Sequence, residues 1–447
     1  MLASDLSVHR LDRSIAEVAA QPWLCAVDPT RDFTRRRLLP LGSLLHALVT
    51  RDCHSIGTEL LDHLGWTGGT PGVSSYCKAR RKLNDGAMRL LNSTFLRKWD
   101  VVPYLGAYRL MLADGTGIPM PASDDESTRI RNGVGRFWHN EMHPTLAYDP
   151  VRDTFEDAVA QGARKSNEPA ALNVIVDRFY PGRAPDGTRL AALWAADRNY
   201  ATLNVFCHMI EAGASFCIRA SDSRAEGLLG AGAPEGEFDL DVEVIATKTR
   251  SVAHRSRPDE PGLYRVVKGR TPLDAIPDRS FAEYPMRLRV VRVALPADDG
   301  DPNEEGDRWL NLVTNLPRDA FAPSDLEEIY RVRWKVELRI RDLKHNVGMR
   351  DPRTRDPRLA AHEMWGSIVC YNCCSLGMAD IPDPEPGPRH ERATDRSVAF
   401  RGMRRKMLGR RVDLEAVCAR HAHSVRRGRK APRRKRPQRP PSFPYRG

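Results

Sequence analysis

Apolar residues recur at helical spacing through Leu38–Val49 and Gly57–Leu64, and the glycine-rich stretch Gly68–Gly72 closes that region with a loop. The first hundred residues therefore read as mostly helical. From Ala107 the texture changes to short apolar runs. Tyr108–Ala113 predicts a strand ending in a turn at Asp114-Gly115-Thr116-Gly117. Pro144–Tyr148 and Thr154–Ala160 predict a hairpin across Asp149-Pro150. Asn167–Phe179 opens like a capped helix with Pro169 in its first turn. Leu190–Ala196 predicts a buried strand ending at Asp197, followed by a helix over Leu203–Ala212 and a strand over Ser215–Ala220.

Three antiparallel-type strands followed by helix, strand, helix and strand is the order of an RNase H-like α/β core with a mixed sheet. Residues 222–320 differ in texture: Asp239–Thr249, Tyr264–Lys268, Met286–Leu295 and Trp309–Thr314 alternate or run apolar between Gly, Pro and Asp clusters. They predict a β-rich insertion. A helix then starts near Ser324, with Glu327 at capping-box spacing, and completes the core through 321–350. Ala360–Met378 predicts another apolar helix, Pro382–Pro388 breaks it, and a last helical piece lies near Leu414–Ala419. The expected organisation is a helical region at 1–100, read as DNA-binding for its basic clusters at 35–37 and 78–82, a first core segment at 101–221, the insertion at 222–320 and the completing helix at 321–350. A helical, possible dimerisation region at 351–425 and a disordered basic tail at 426–447 follow.

The stretch Tyr330–Lys344, YRVRWKVELRIRDLK, organises the rest. At about 100° per residue, Tyr330, Arg333, Glu337, Arg341 and Lys344 share one stripe. Ile329, Val332, Val336, Ile340, Leu343 and Val347 form a separate apolar stripe. Charged stripes are most often solvated surface, and Glu–Arg neighbours are commonly weak salt bridges. A working face needs support from elsewhere in the chain.

Charge sharpens the picture only at the C-terminus. Of the net +12, ten positive charges come from 426–447, which has no acid, leaving +2 for the rest. Basic clusters at Phe33-Thr34-Arg35-Arg36-Arg37 and at Lys78, Arg80, Arg81 and Lys82 suit phosphate backbones, with ordinary solvated helices as the alternative. Nine cysteines without a small secreted framework point to a reducing compartment. Neither a signal peptide nor an 18-residue apolar run is apparent, so a cytoplasmic protein that spans no membrane is expected.

The chemistry rests on three acids. Asp114 and Asp197 each follow an apolar core strand, where α/β folds gather ligands. Joined by Glu337 from a helix, they would make an all-oxygen site for hard divalent cations. Paired metals activate an attacking oxygen and stabilise a leaving one in phosphoryl transfer. A lone Asp after a strand is usually just a turn residue. Trp334 would either stack on a displaced base or pack in the core. Cys370-x2-Cys373-Cys374 has zinc-like spacing without a convincing second pair, so buried thiols are the expectation. Glu168 falls near the same strand ends, where helix capping competes with a metal or DNA contact.

The spacing Tyr330-x2-Arg333-x3-Glu337-x6-Lys344 resembles the signature of bacterial DDE transposases of the insertion-sequence-four group. Asp114 in LADGTGI looks like that family's first aspartate, and Asp197 in ADRNYATLNVF, with Arg198 after it, like its second. The interval of 140 residues from Asp197 to Glu337 is similar to the family's β-strand insertion, and FTRRRLLP, SYCKARRKL and ARKSNEPAAL add to the likeness, which runs from about 30 to 350. The resemblance implies a nuclease and strand transferase acting on double-stranded DNA, at the element's terminal inverted repeats and then at target DNA. It implies two Mg²⁺ or Mn²⁺ ions on Asp114, Asp197 and Glu337, DNA contacts by Tyr330, Arg333, Trp334, Arg341, Lys344 and Arg198, a homodimer in the synaptic complex, and association with the bacterial nucleoid. A nuclease without strand transfer, or an idle DNA-binding derivative, are the alternatives.

Overall fold

The computed structural model describes residues 2–35, 39–52, 54–131, 138–230, 234–247, 264–266, 283–294, 309–382, 384–385 and 392–424. The tail at 426–447, Arg36 and Arg37 lie outside them. Helices α1 (Ala3–Ala19), α2 (Leu41–Val49), α3 (Ile56–Leu64), α4 (Val73–Arg80) and α5 (Ala87–Leu96) fill the N-terminal region. Beyond them the chain lays down β1 (Tyr108–Gly115), β2 (Ile118–Met120), β3 (Arg129–Arg131), β4 (Trp138–Asp149) and β5 (Thr154–Gly162). Next come α6 (Glu168–Arg178), β6 (Ala191–Ala196), α7 (Leu203–Glu211), β7 (Ser215–Ala220) and α8 (Asp222–Leu229).

β1 lies antiparallel to β4 on one side and parallel to β6 on the other, and β6 is parallel to β7. Gly115 pairs with Thr145 and Ile118 with Met142, so β1 and β2 follow one line along β4, interrupted at Thr116–Gly117. Asp114 is therefore still inside a strand, one residue deeper than the turn that the sequence predicts. The pleat sends Leu110 and Leu112 to one face and Met111 and Ala113 to the other; β6 does likewise with Leu193 and Ala195 against Trp194 and Ala196. Two apolar cores result, one on each face.

The strands expected as an insertion continue this same sheet. β8 (Phe238–Thr247), β9 (Tyr264–Val266), β10 (Glu283–Ala294) and β11 (Trp309–Thr314) extend it in the order β7-β11-β10-β8-β9. Backbone groups at the edge of β7 are satisfied by β11, through Asn311↔Ala220 to Thr314↔Cys217. The fold is mixed α/β around one large mixed sheet.

The organising stretch forms two helices, α9 (Pro323–Val332) and α10 (Trp334–His345), where one continuous helix was expected. At the junction the Arg333 N–H donates to the Tyr330 carbonyl (2.9 Å) and the Val336 N–H to the Arg333 carbonyl (3.0 Å), a tightened i→i+3 turn. The cap is Ala322, whose backbone N–H donates to Asp325 (2.8 Å), so the start is two residues earlier than Ser324 suggests. Ile329, Val336, Ile340, Leu343 and Val347 are all buried in the core that also holds Leu110, Leu112, Leu193 and Ala195. The helix pair thus covers that sheet face.

Helix α11 (Pro357–Gly377) is buried almost all round, between α1, α2, α5, β5 and α12 (Arg396–Met407). α13 (Leu414–Arg420) packs on α12, a helix the sequence pattern did not announce. Glu363 of α11 holds Arg51 and Arg80 (2.8 Å to Arg80), all three fully buried. Arg80 is therefore a structural cation, and the phosphate contact suggested by its basic cluster is corrected for that residue. Cys370, Cys373 and Cys374 are buried free thiols.

Candidate active site

Ala113 pairs with Ala196 in the parallel β1–β6 ladder, so the next residues, Asp114 and Asp197, stand side by side where the two strands end. Strand alternation aims both toward the face carrying Leu112 and Ala195, the one that α9 and α10 cover. Asp197 is also the cap of a short 3₁₀ turn, accepting from the Asn199 N–H (2.9 Å). The Asp114 carboxylate accepts from the Gly115 N–H (2.9 Å).

Glu337, one turn into α10, receives a hydrogen bond from Arg333 (2.8 Å). Arg333 is only 4% exposed, which a solvated stripe would not allow. Its guanidinium lies 4.9 Å from the Trp334 ring centre and 5.5 Å from that of Tyr330. The charge of the same guanidinium also lowers the proton affinity of Asp114 and Asp197. Burial pushes the Asp114 carboxyl up to about 7, helped by the charges of Asp197 and Glu337 and opposed by Arg333. Asp197 is raised by burial, with the Asn199 N–H and Arg333 opposing and Glu168 adding to the shift.

Lys344 is half-buried; desolvation lowers its proton affinity while the charges of Glu141 and Asp114 act the other way. Tyr330 is buried, Arg341 is exposed, and Trp334 is 56% exposed, so core packing does not account for Trp334. Arg198 follows Asp197 directly and its carbonyl accepts from Arg224 of α8.

Four nearby residues carried no clear signal in the sequence. His143 of β4 and Asn199 both contact Glu168, Arg224 lies in the field of Asp197, and Glu141 crowds Gly117. The glycines of Asp114-Gly-Thr-Gly held the usable clue. A Cβ at Gly115 would run into Glu168 and His143, and one at Gly117 into Glu141. Both glycines let carboxylates close on the backbone next to Asp114.

The donors present are carboxylates alone, crowded enough to need a counter-charge, which is the chemistry of a hard divalent cation. In this arrangement one oxygen of Glu337, Oε1, accepts from Arg333. Among the described residues no three His, Cys, Asp or Glu side chains stand close enough together to hold a metal ion.

The sequence profile of the family described as Transposase DDE domain matches residues 105–373, well over half of the chain. The chain belongs to the DDE transposase family. The match spans β1 through most of α11, so Asp114, Asp197 and Glu337 all fall within the family domain. Among solved structures the transposase is similar to the piggyBac transposase synaptic complex with hairpin DNA, at 11% identity and a TM-score of 0.42, over 91% of this chain and 80% of that one. No curated protein matches it. Among the described residues no helix is long and apolar enough to cross a membrane.

Proposed function

We propose that this DDE transposase family member cuts double-stranded DNA at the terminal inverted repeats of its element and joins the freed 3′ ends to target DNA. The reading also takes it as a bacterial enzyme of the insertion-sequence-four group, with an RNase H-like core, working at the nucleoid as a homodimer that pairs two element ends. The observation that carries the proposal is the Ala113↔Ala196 register, which sets two aspartates at adjacent strand ends beneath the helix that bears Glu337.

Asp114, Asp197 and Glu337 are the proposed holders of two Mg²⁺ or Mn²⁺ ions. Bound there, such ions would supply Lewis-acid activation of an attacking oxygen and charge stabilisation of the leaving one. Arg333 bonds one oxygen of Glu337, Oε1 (2.8 Å), and its guanidinium is assigned to a phosphate, in the bidentate manner that suits arginine. Lys344, Arg341 and Arg198 are assigned to the DNA backbone. Buried Tyr330 supports Arg333 from beneath, and exposed Trp334 offers a face for a displaced base.

The test uses DNA carrying the element's own ends, with and without Mg²⁺, and compares wild type with Glu337→Gln. Gln keeps the shape and accepts from Arg333 but loses the charge. The variant is expected to bind the ends within about threefold of wild type and to cut at least about a hundredfold more slowly, as loss of an essential charge at a metal site implies. Equal cutting by the variant would refute the assignment.

A further inference from the structure

Glu168 carries both of its carboxylate oxygens toward the acids rather than toward its own helix. Oε1 meets Nε2 of His143 (2.5 Å) and Oε2 accepts from the side-chain amide of Asn199 (2.5 Å). Helix capping does not explain this. Asn167 already caps α6, its side chain accepting from the Ala170 N–H (3.1 Å).

The three partners come from three neighbouring strands or the turns that follow them. His143 is on β4, Asn199 lies just past β6, and the carboxylate rests on the backbone of Gly115 at the end of β1, where only glycine leaves room. Asn199 is also the residue whose backbone N–H holds Asp197 (2.9 Å). One carboxylate therefore pins the turn that orients Asp197 and presses on the residue next to Asp114. Both contacts come from a side chain that is about four-fifths buried, at 20% exposure, and bonding to His143 and Asn199 keeps its proton affinity below the usual glutamate range. Glu168 stays a carboxylate and adds negative field at Asp197.

We propose that Glu168, braced by His143, is a positioning residue of the acidic centre: through Asn199 it fixes Asp197, and through its contact with Gly115 it fixes Asp114, in the geometry that receives divalent cations. This rests on the three-acid reading above. Outer partners that orient ligands are typically worth about ten- to a hundredfold in metal affinity or activity.

The experiment titrates the full-length protein with Mn²⁺ in the absence of DNA, following free Mn²⁺ by electron paramagnetic resonance, for wild type, Glu168→Ala, Glu168→Gln and Asn199→Ala. Thermal melting and binding to end DNA check that each variant folds. Glu168→Ala is expected to weaken Mn²⁺ binding by about tenfold or more while holding end DNA within about twofold. Glu168→Gln, whose carbonyl oxygen can still accept from Asn199, should recover most of the loss, and Asn199→Ala should weaken Mn²⁺ binding as Glu168→Ala does. Should Glu168→Ala fail to fold, the Gln and Asn199 variants decide. Wild-type Mn²⁺ affinity in both Glu168 variants, or in Asn199→Ala if Glu168→Ala is lost, overturns this inference alone. A wild type that neither takes up Mn²⁺ nor cuts its ends overturns the three-acid reading and this inference with it.

Discussion

Asp114 holds its proton more tightly than a solvated aspartate because burial and the neighbouring carboxylates disfavour its charge, and this has a consequence for stability. With the folded value at about 7 against 3.8 for the free side chain, the folded protein binds more protons than the unfolded chain between those limits. Stability in the absence of metal must then fall as pH rises through that window, and the penalty is complete above it. Asp114→Asn removes it. Solvent screening at this half-buried site reduces the effect to on the order of 2 kcal/mol. Thermal melting in chelator should show Asp114→Asn more stable than wild type by a few degrees at pH 8 and no more stable at pH 4. A variant no more stable than wild type at pH 8 would mean that neither burial nor the neighbouring acids disfavour the charge of Asp114. The placement of Asp114 and Asp197 at core-strand ends and of Glu337 on a helix was legible in the chain because each falls at a recognisable place in the pattern. Glu168 was only half legible, and its partners His143 and Asn199 were not, since a hydrogen bond across 25 or 31 residues leaves no periodic trace.

At the scale of elements, α10 is held from behind by a polar network. Asp153, in the β4–β5 turn, accepts from Tyr148 (2.5 Å), Tyr371 of α11 (2.7 Å) and Arg396 of α12 (3.2 Å), and pairs with Arg339 of α10 (3.0 Å). Asp342, also on α10, pairs with Arg339 (3.2 Å) and Arg396 (2.9 Å). Glu337 projects from the other side of this anchored helix. In the sequence Asp153 lies just past a predicted turn, where aspartate is common anyway. Its φ of 55° does fit a turn, but the carboxylate carries the larger role. Asp153→Asn keeps a residue that tolerates this backbone and removes the charge that two guanidiniums share. It should cost on the order of 2 kcal/mol in denaturant unfolding and slow cutting more than it weakens DNA binding. Unchanged stability would show that the network does not brace the helix. The tightened turn at Arg333 also escaped the sequence, because the apolar stripe runs unbroken across it and periodicity reports burial rather than hydrogen-bond register.

For the whole molecule, the 140-residue interval between Asp197 and Glu337 is crossed by continuing the sheet. The strands after α8 join at the edge of β7, and β11 delivers the chain to α9 on the face where the aspartates point. The individual strands could be read from alternation. Their membership of the core sheet could not, because which edges pair is a non-local choice that pattern alone leaves open. The central proposal is that the three distant acids carried by this path close on one cation site when metal binds, and iron-directed cleavage of the polypeptide tests it most directly. Fe²⁺ with ascorbate and peroxide, added to the metal-free protein, should cut the backbone near residues 114, 197 and 337 together. Excess Mg²⁺ should suppress all three cuts, and Asp114→Asn should abolish them. Cuts near one of these positions alone, or bound Fe²⁺ that cuts elsewhere, would contradict the account.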